Sequence, residues 1–138
     1  PVPLLQELEA GSVGGQRLVA WGAAVRDALK AADKIEEARG TKVEIIDLLT
    51  VAPMDGETIA ASVRKTGRCV IVQEAPKTLG PAAEIVARLN EKSFDYLEAP
   101  VKRVSGFDVV TPYFGREHMY IPDAKRIVRA IEETLDWK

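Results

Sequence analysis

A run of apolar residues, Cys69-Val-Ile-Val72, constrains the fold most, because it does not alternate with polar residues. Strands of this kind are buried on both faces, as the central strands of a parallel sheet are. Gln73-Glu-Ala-Pro76 follows, and then a turn that carries Gly80 and Pro81. Proline suits the first turn of a helix, where its missing N–H costs nothing. The segment therefore predicts a buried strand, a turn and a helix.

The residues before this strand predict two further strands and two helices. Leu18-Val-Ala-Trp21 is strand-like, and apolar residues then recur at helical spacing up to Gly40, which suits a left-handed helix C-cap. Val43-Glu-Ile-Ile-Asp47 is rich in β-branched residues and predicts the second strand. Asp55 is placed to cap the helix that follows.

The residues after residue 100 predict a fourth strand, a long loop and a last helix. Val101 to Ser105 is the strand, and Asp123 is a candidate cap for the helix. Between them, residues 106–121 contain the aromatic residues Phe107, Tyr113, Phe114 and Tyr120, together with His118. Long loops in compact domains are often functional surfaces. 

Strands that alternate with helices predict an α/β sandwich with a mostly parallel sheet and right-handed crossovers. A chain of 138 residues fits one domain. Its first 16 residues are marked by proline and glycine and predict a linker or N-terminal arm, so that the domain covers residues 17–138.

Composition argues against several classes of partner. The 19 basic and 21 acidic residues give a net charge of −2 and are interspersed, so we expect neither nucleic acid nor an anionic membrane as partner. No apolar run reaches the roughly 18 residues needed to span a bilayer. The single cysteine, Cys69, cannot form an intramolecular disulfide, which favours a reducing, cytoplasmic location.

The sequence shows no familiar catalytic motif. One histidine, His118, cannot form a His-rich metal site, and neither a Gly-x-Ser-x-Gly elbow nor a Gly-x-x-x-x-Gly-Lys-Ser/Thr phosphate loop occurs. We therefore do not expect this chain to be catalytic alone.

From about Arg17 to Trp137 the sequence resembles the second half of the β subunit of thiamine-diphosphate-dependent 2-oxoacid dehydrogenases, of the pyruvate and branched-chain types. The strand-and-turn segment is similar to that family's His-Glu-Ala-Pro element, with Gln73 in place of the histidine. The other segments that carry the resemblance are Val19-Ala-Trp-Gly-Ala23, Val43-Glu-Ile-Ile-Asp-Leu48, Pro53-Met-Asp-Gly-Glu-Thr-Ile59, Ser62-Val-Arg-Lys-Thr-Gly67, Tyr96-Leu-Glu-Ala-Pro-Val101 and Tyr120-Ile-Pro-Asp123.

This resemblance implies a three-layer α/β/α sandwich like the transketolase C-terminal domain, with a mostly parallel, mixed five-stranded sheet. The sequence itself indicates four of those strands. The resemblance also implies that the parent E1 enzyme uses thiamine diphosphate and Mg. The Gly-Asp-Gly…Asn cation signature is absent from this chain, and in the family it lies in the α subunit. We therefore expect this domain alone to bind no cofactor.

The implied partners are the E1 α subunit, a second β subunit and the subunit-binding domain of the E2 acyltransferase. By resemblance, Glu98 in the Leu-Glu-Ala-Pro element and the C-terminal residues Trp137 and Lys138 meet E2. Gln73 and Glu74 lie in a turn that faces the rest of the β subunit. Where relatives carry a second acid after the Leu-Glu-Ala-Pro element, this chain has Lys102 and Arg103.

Two alternatives stay open from the sequence. One is the C-terminal domain of a transketolase or deoxyxylulose-phosphate synthase, which would not need separate α and β chains or a lipoyl protein. The other is a freestanding α/β binding or scaffold module. Residue 1 is Pro rather than Met, which favours a piece of a longer chain over that module.

Overall fold

The computed structural model describes residues 3–8 and 15–138 and confirms the three-layer α/β/α sandwich. Five strands form one sheet in the order β1-β3-β2-β4-β5. The strands are β1 Leu5–Leu8, β2 Gln16–Ala20, β3 Val43–Leu48, β4 Cys69–Pro76 and β5 Lys102–Gly106. The helices are α1 Ala24–Arg39, α2 Gly56–Arg64, α3 Pro81–Ser93, α4 Glu117–Tyr120 and α5 Ala124–Leu135, with a 3₁₀ turn at Phe94–Tyr96.

The fifth strand comes from the segment predicted as a linker or arm. β1 pairs antiparallel with the end of β3, with Leu5 opposite Leu48, while the other neighbouring strands are parallel. Leu5–Leu8, predicted to be part of a linker or N-terminal arm, thus forms a strand of the sheet. This edge strand reads Leu-Gln-Glu-Leu, four residues without clear alternation, and its pairing depends on the distant β3. Residues 1–2 and 9–14 of the predicted arm lie outside the described residues.

Both faces of β4 are covered, as its apolar run predicts. Val70 and Val72 belong to the core beneath α1 and α5, whereas Cys69 and Ile71 belong to a second core beneath α2 and α3. All four residues have no solvent-exposed surface. The predicted strands agree with the observed ones, although β2 begins at Gln16 and β4 extends to Pro76.

The predicted helix ends are also confirmed. The Asp55 carboxylate accepts a hydrogen bond from Thr58 N at 3.0 Å, and this bond lowers the pKa of Asp55. Asp123 accepts from Arg126 N at 2.8 Å at the start of α5. Gly40 ends α1 with a φ of 66°, and Pro81 is the first residue of α3.

A buried ion pair links the sheet to α2. Arg17 in β2 and Glu44 in β3 are register partners, and Arg17 Nη2 lies 3.4 Å from Glu44 Oε2. Arg17 Nε donates to the Ser62 carbonyl at 3.2 Å, and the Ser62 hydroxyl donates to Glu44. All three residues are at most 2% exposed. The pair therefore fixes two strands and one helix relative to one another.

Cys69 lies beside this pair on β4, opposite Arg17 in the register. Burial raises the pKa of the Cys69 thiol to about 12, although the Arg17 guanidinium lowers it. The thiolate is the nucleophilic form of cysteine. Cys69 is thus a packing residue in the strand that the sequence predicts to be buried.

We expect Glu44→Gln to lower the free energy of unfolding by about 3–5 kcal/mol, because it leaves the Arg17 charge buried without a counterion. The double change Arg17→Met with Glu44→Leu should cost less than Glu44→Leu alone, since it removes both buried charges. Urea denaturation measures all three. Glu36→Gln, which removes an exposed ion pair with Lys42, is the control. A cost for Glu44→Gln no larger than that of the control would contradict the assigned role.

Candidate functional site

The turn after β4 is built around Gln73. Its Oε1 accepts a hydrogen bond from Ala82 N at 2.8 Å, and its Nε2 donates to the Pro76 carbonyl at 2.9 Å. Gly80 is required here, because a Cβ at this position would lie 2.3 Å from Gln73 Nε2. Gln73 is 1% exposed. The side chain of Gln73, for which an interface role was predicted, is thus buried and shapes the turn. The adjacent Glu74 is exposed.

Two of the other predicted site residues, Glu98 and Trp137, are brought together in one groove. The groove measures about 590 Å³ and runs between α3, the 3₁₀ turn and the C-terminal end of the chain. Its lining residues are Val86, Asn90, Phe94, Asp95, Leu97, Glu98, Ala99, Pro100, Val101 and Trp137. Lys138 is exposed beside Trp137 and does not line the groove. We call this feature the acidic groove.

The charged side chains that line the acidic groove are Asp95 and Glu98, both negative. Glu98 pairs with Arg68, whose Nε also donates to the Thr134 carbonyl at 3.1 Å. Arg68 is therefore fixed by α5 and holds the Glu98 carboxylate at the rim. The Glu98 side chain remains 59% exposed, so its carboxylate is accessible to a further cation.

The two basic residues that replace an expected acid do not line the groove. Lys102 forms an ion pair with Glu133 at 3.1 Å, and its Nζ lies 6.0 Å from the centre of the Trp137 ring. Arg103 donates to the Lys77 carbonyl at 2.9 Å. Arg103 is thus directed to another part of the domain, whereas Lys102 lies beside Trp137 with its charge paired to Glu133. The charged residues that line the groove itself are both acidic.

A second surface is formed by residues 107–120, which we call the aromatic loop. Tyr113 and Phe114 are 92% and 95% exposed, and Val110 is 90% exposed. The segment was predicted to be irregular, and its end forms the short helix α4. Tyr120 is buried against Gly106, where a Cβ would lie 2.4 Å from the ring. Large exposed apolar patches are typical of contact surfaces.

The loop is tied to the turn after β4. Asp108 accepts hydrogen bonds from Thr78 N at 2.8 Å and from Thr78 Oγ1 at 2.6 Å, and these bonds lower the pKa of Asp108. Leu79, next in the turn, is 96% exposed and has a φ of 59°. A leucine in this left-handed conformation is uncommon. The turn and the loop therefore present their apolar side chains from one connected region.

Residues 3–8 and 15–138 contain no cluster of three or more His, Cys, Asp or Glu side chains that could hold a metal ion. No helix of this described part is long and apolar enough to cross a membrane. 

The mixed, mostly parallel sheet and the two core layers define a three-layer α/β/α domain. The family model of the transketolase C-terminal domain matches residues 17–127. The chain therefore belongs to the transketolase C-terminal domain family.

Curated relatives point to one branch of this family. The chain is 47% identical over 116 residues to the pyruvate dehydrogenase E1 component subunit beta of Acholeplasma laidlawii, which covers 84% of this chain and 35% of that protein. It is 42% identical over 120 residues to the corresponding subunit of Bacillus subtilis strain 168. That alignment covers 87% of this chain and 37% of the Bacillus subtilis subunit. The chain thus spans about a third of the length of these relatives.

Solved structures agree on the fold. A split-gene transketolase, described as an inactive beta4 tetramer, superposes with a TM-score of 0.78 at 26% identity and covers 96% of this chain and 42% of that one. A 2-oxoglutarate:ferredoxin oxidoreductase from Magnetococcus marinus superposes with a TM-score of 0.66 at 10% identity. That superposition covers 98% of this chain and 20% of the oxidoreductase chain. The second likeness shows the fold alone.

We expect Gln73→Leu to lower the free energy of unfolding by about 1–3 kcal/mol, since the Ala82 N–H and the Pro76 carbonyl both lose their partner. Hydrogen exchange at the Ala82 amide should become faster than in the unmodified chain. Gln6→Leu, which removes an exposed hydrogen bond to Asp47, is the matched control and should have little effect. Unchanged exchange at Ala82 would show that Gln73 does not hold the turn.

Proposed function

We propose that this chain is the C-terminal domain of an E1 β subunit of the pyruvate dehydrogenase type and that it serves subunit assembly and docking to E2. The 42–47% identity to E1 β subunits supports the family branch. The observation that carries the docking role is the acidic groove, because it joins Glu98 and Trp137, which lie 39 positions apart in the sequence.

The parent enzyme would carry out the oxidative decarboxylation of a 2-oxo acid with acyl transfer to lipoamide. Pyruvate is favoured over branched-chain oxo acids by the names of the most similar relatives reported above. In this proposal thiamine diphosphate and Mg are held by the α subunit and by the remainder of the β subunit, within an α2β2 assembly in the cytoplasm. This domain contributes position and contact rather than chemistry.

The acidic groove suits a partner that presents basic and apolar side chains together. Trp137 is 49% exposed and Phe94 is 66% exposed, so both offer apolar area that a partner can cover. Asp95 and Glu98 supply negative charge at the same place. Interfaces combine aromatic anchors with complementary charges in this manner. The subunit-binding domain of E2 is the partner that we propose for this groove.

Glu98→Lys should weaken binding of the E2 subunit-binding domain to the assembled E1 component by roughly tenfold or more, because it replaces attraction to a basic partner by repulsion. Glu98→Gln should also weaken this binding, but by a smaller factor, because it removes the negative charge without adding a positive one. Isothermal titration calorimetry measures both. We expect the thermal stability of E1 to change little, since surface substitutions usually stay within about ±0.5 kcal/mol.

Glu36→Lys provides the control for this titration. Glu36 is also an exposed acid in an ion pair, but it lies on α1 and does not line the groove. Its charge reversal should leave binding unchanged. Equal affinities for Glu98→Lys and for the unmodified E1 would remove Glu98 from the interface and would count against docking at the groove.

Assembly is supported by the aromatic loop. Tyr113, Phe114 and Val110 expose apolar surface that a stable contact would bury, at about 25 cal/mol per Å². The split-gene transketolase that superposes on this chain is itself described as a tetramer. We propose that the loop meets the E1 α subunit or the rest of the β subunits in the assembled enzyme.

Changing both Tyr113 and Phe114 to Ser should shift the purified E1 component from the heterotetramer to smaller species in analytical ultracentrifugation, because it removes apolar contact area. The fold should persist, since both side chains are more than nine-tenths exposed. Phe94→Ser, which removes an exposed aromatic residue from the acidic groove, should leave the assembly intact. An unchanged heterotetramer in the double variant would contradict the assembly role of the loop.

A transketolase-type parent is the second candidate, and the superposition on the split-gene transketolase favours it. The sequence identity to that protein is 26%, compared with 47% to the E1 β subunit of Acholeplasma laidlawii. Co-purification of the native subunit with an α subunit and a lipoyl-bearing E2 would separate the two. Recovery without either protein would favour the transketolase type or a freestanding module.

A further inference from the structure

A basic cleft lies between β5, the segment that follows β4, and α5. It measures about 250 Å³ and is lined by Lys77, Arg103, Ser105, Gly106, Phe107, Asp108 and Arg126. Three of these side chains are cations and one is a carboxylate, so the formal charge of the cleft is +2, in a chain whose net charge is −2. Neither docking nor assembly, as proposed above, uses this charge.

The two guanidinium groups are held by backbone carbonyls. Arg126 donates to the Ser105 carbonyl at 2.6 Å and to the Tyr120 carbonyl at 3.3 Å, and it lies 4.9 Å from the centre of the Phe107 ring. Arg103 donates to the Lys77 carbonyl at 2.9 Å. A carbonyl orients a guanidinium without cancelling its charge, whereas a carboxylate would neutralise it.

Neither arginine has a carboxylate partner in the part of the chain that the structure describes. Asp108, the one acid in the cleft, is instead engaged by the N–H and the hydroxyl of Thr78. The cleft thus contains two oriented guanidinium groups and an ammonium group, with one carboxylate that is hydrogen-bonded to Thr78 and also attracted by the Lys77 charge. Such an arrangement favours an anion.

Behind Gly106, outside the lining of the cleft itself, lies a donor that has no acceptor among the described residues. The Tyr120 hydroxyl is buried without a hydrogen-bond partner among the described residues. It lies against Gly106, where a Cβ would be 2.6 Å from the hydroxyl oxygen. The absence of a side chain at Gly106 therefore leaves the phenol close to the backbone that lines the cleft.

We propose that this cleft binds a phosphate group, either free phosphate or the phosphate of a small organic molecule. Guanidinium forks match the oxygens of phosphate. The three cations and single carboxylate match a dianion better than the single charge of a carboxylate ligand. The position near the carboxyl ends of β4 and β5 is where α/β sheets commonly bind ligands. The inference does not depend on the parent enzyme proposed above.

The test is a titration of the isotope-labelled 138-residue chain with inorganic phosphate, followed by NMR at constant ionic strength with chloride as the balancing anion. We expect saturable shifts of the amide signals of Gly106, Phe107 and Asp108. Lys77→Gln and Arg103→Gln should each weaken binding roughly tenfold, because each removes a charged donor. Lys77 is exposed, so its change does not threaten the fold.

Lys65→Gln is the matched control, since it removes one exposed cation outside the cleft and should leave the phosphate affinity unchanged. A phosphate monoester that binds more tightly than inorganic phosphate would show that the ligand carries an organic group, and equal binding would favour free phosphate. The proposal is overturned if the shifts do not saturate or if Lys77→Gln and Arg103→Gln bind phosphate as the unmodified chain does. It is also overturned if acetate binds as tightly as phosphate, which would point to a carboxylate of a protein partner.

Discussion

The burial of β4 on both faces is the constraint on which the other features of this domain depend. Cys69 and Ile71 face one helix layer and Val70 and Val72 face the other, so helices must cover the sheet on both sides. At the carboxyl end of this strand, Gln73 holds the turn into α3. The acidic groove, the aromatic loop and the basic cleft are each positioned by an element that packs against this strand or follows it.

The ion pair between Arg17 and Glu44 presents an energetic problem of its own. Removing two charges from water costs more than their attraction commonly returns, so the pair is weak support for stability as such. Its geometry suggests a role in positioning the elements. Arg17, Glu44 and the Ser62 carbonyl and hydroxyl connect β2, β3 and α2. A one-residue slip between these strands would separate two buried charges. We infer that the pair serves chiefly to select this register.

How far the sequence predicted this domain depends on the range of the interactions involved. The helix caps at Asp55 and Asp123 and the left-handed Gly40 are local, and each was predicted from residues within a few positions. β1 was missed because four residues at a sheet edge carry little pattern of their own. The buried pair and the basic cleft were missed because Arg17, Glu44, Arg103 and Arg126 look like surface charges until the fold brings them together.

The predicted site residues also differ in the range of the interactions that position them. Glu98 and Trp137 were inferred from a family resemblance, and the fold joins them because α3, the 3₁₀ turn and the end of α5 converge. Gln73 came from the same resemblance, yet its amide satisfies two backbone groups inside the turn. An amide can donate and accept at once without titrating. The turn in this chain is therefore held by a group whose hydrogen bonds do not change with pH, although its exposed neighbour Glu74 remains able to meet another subunit.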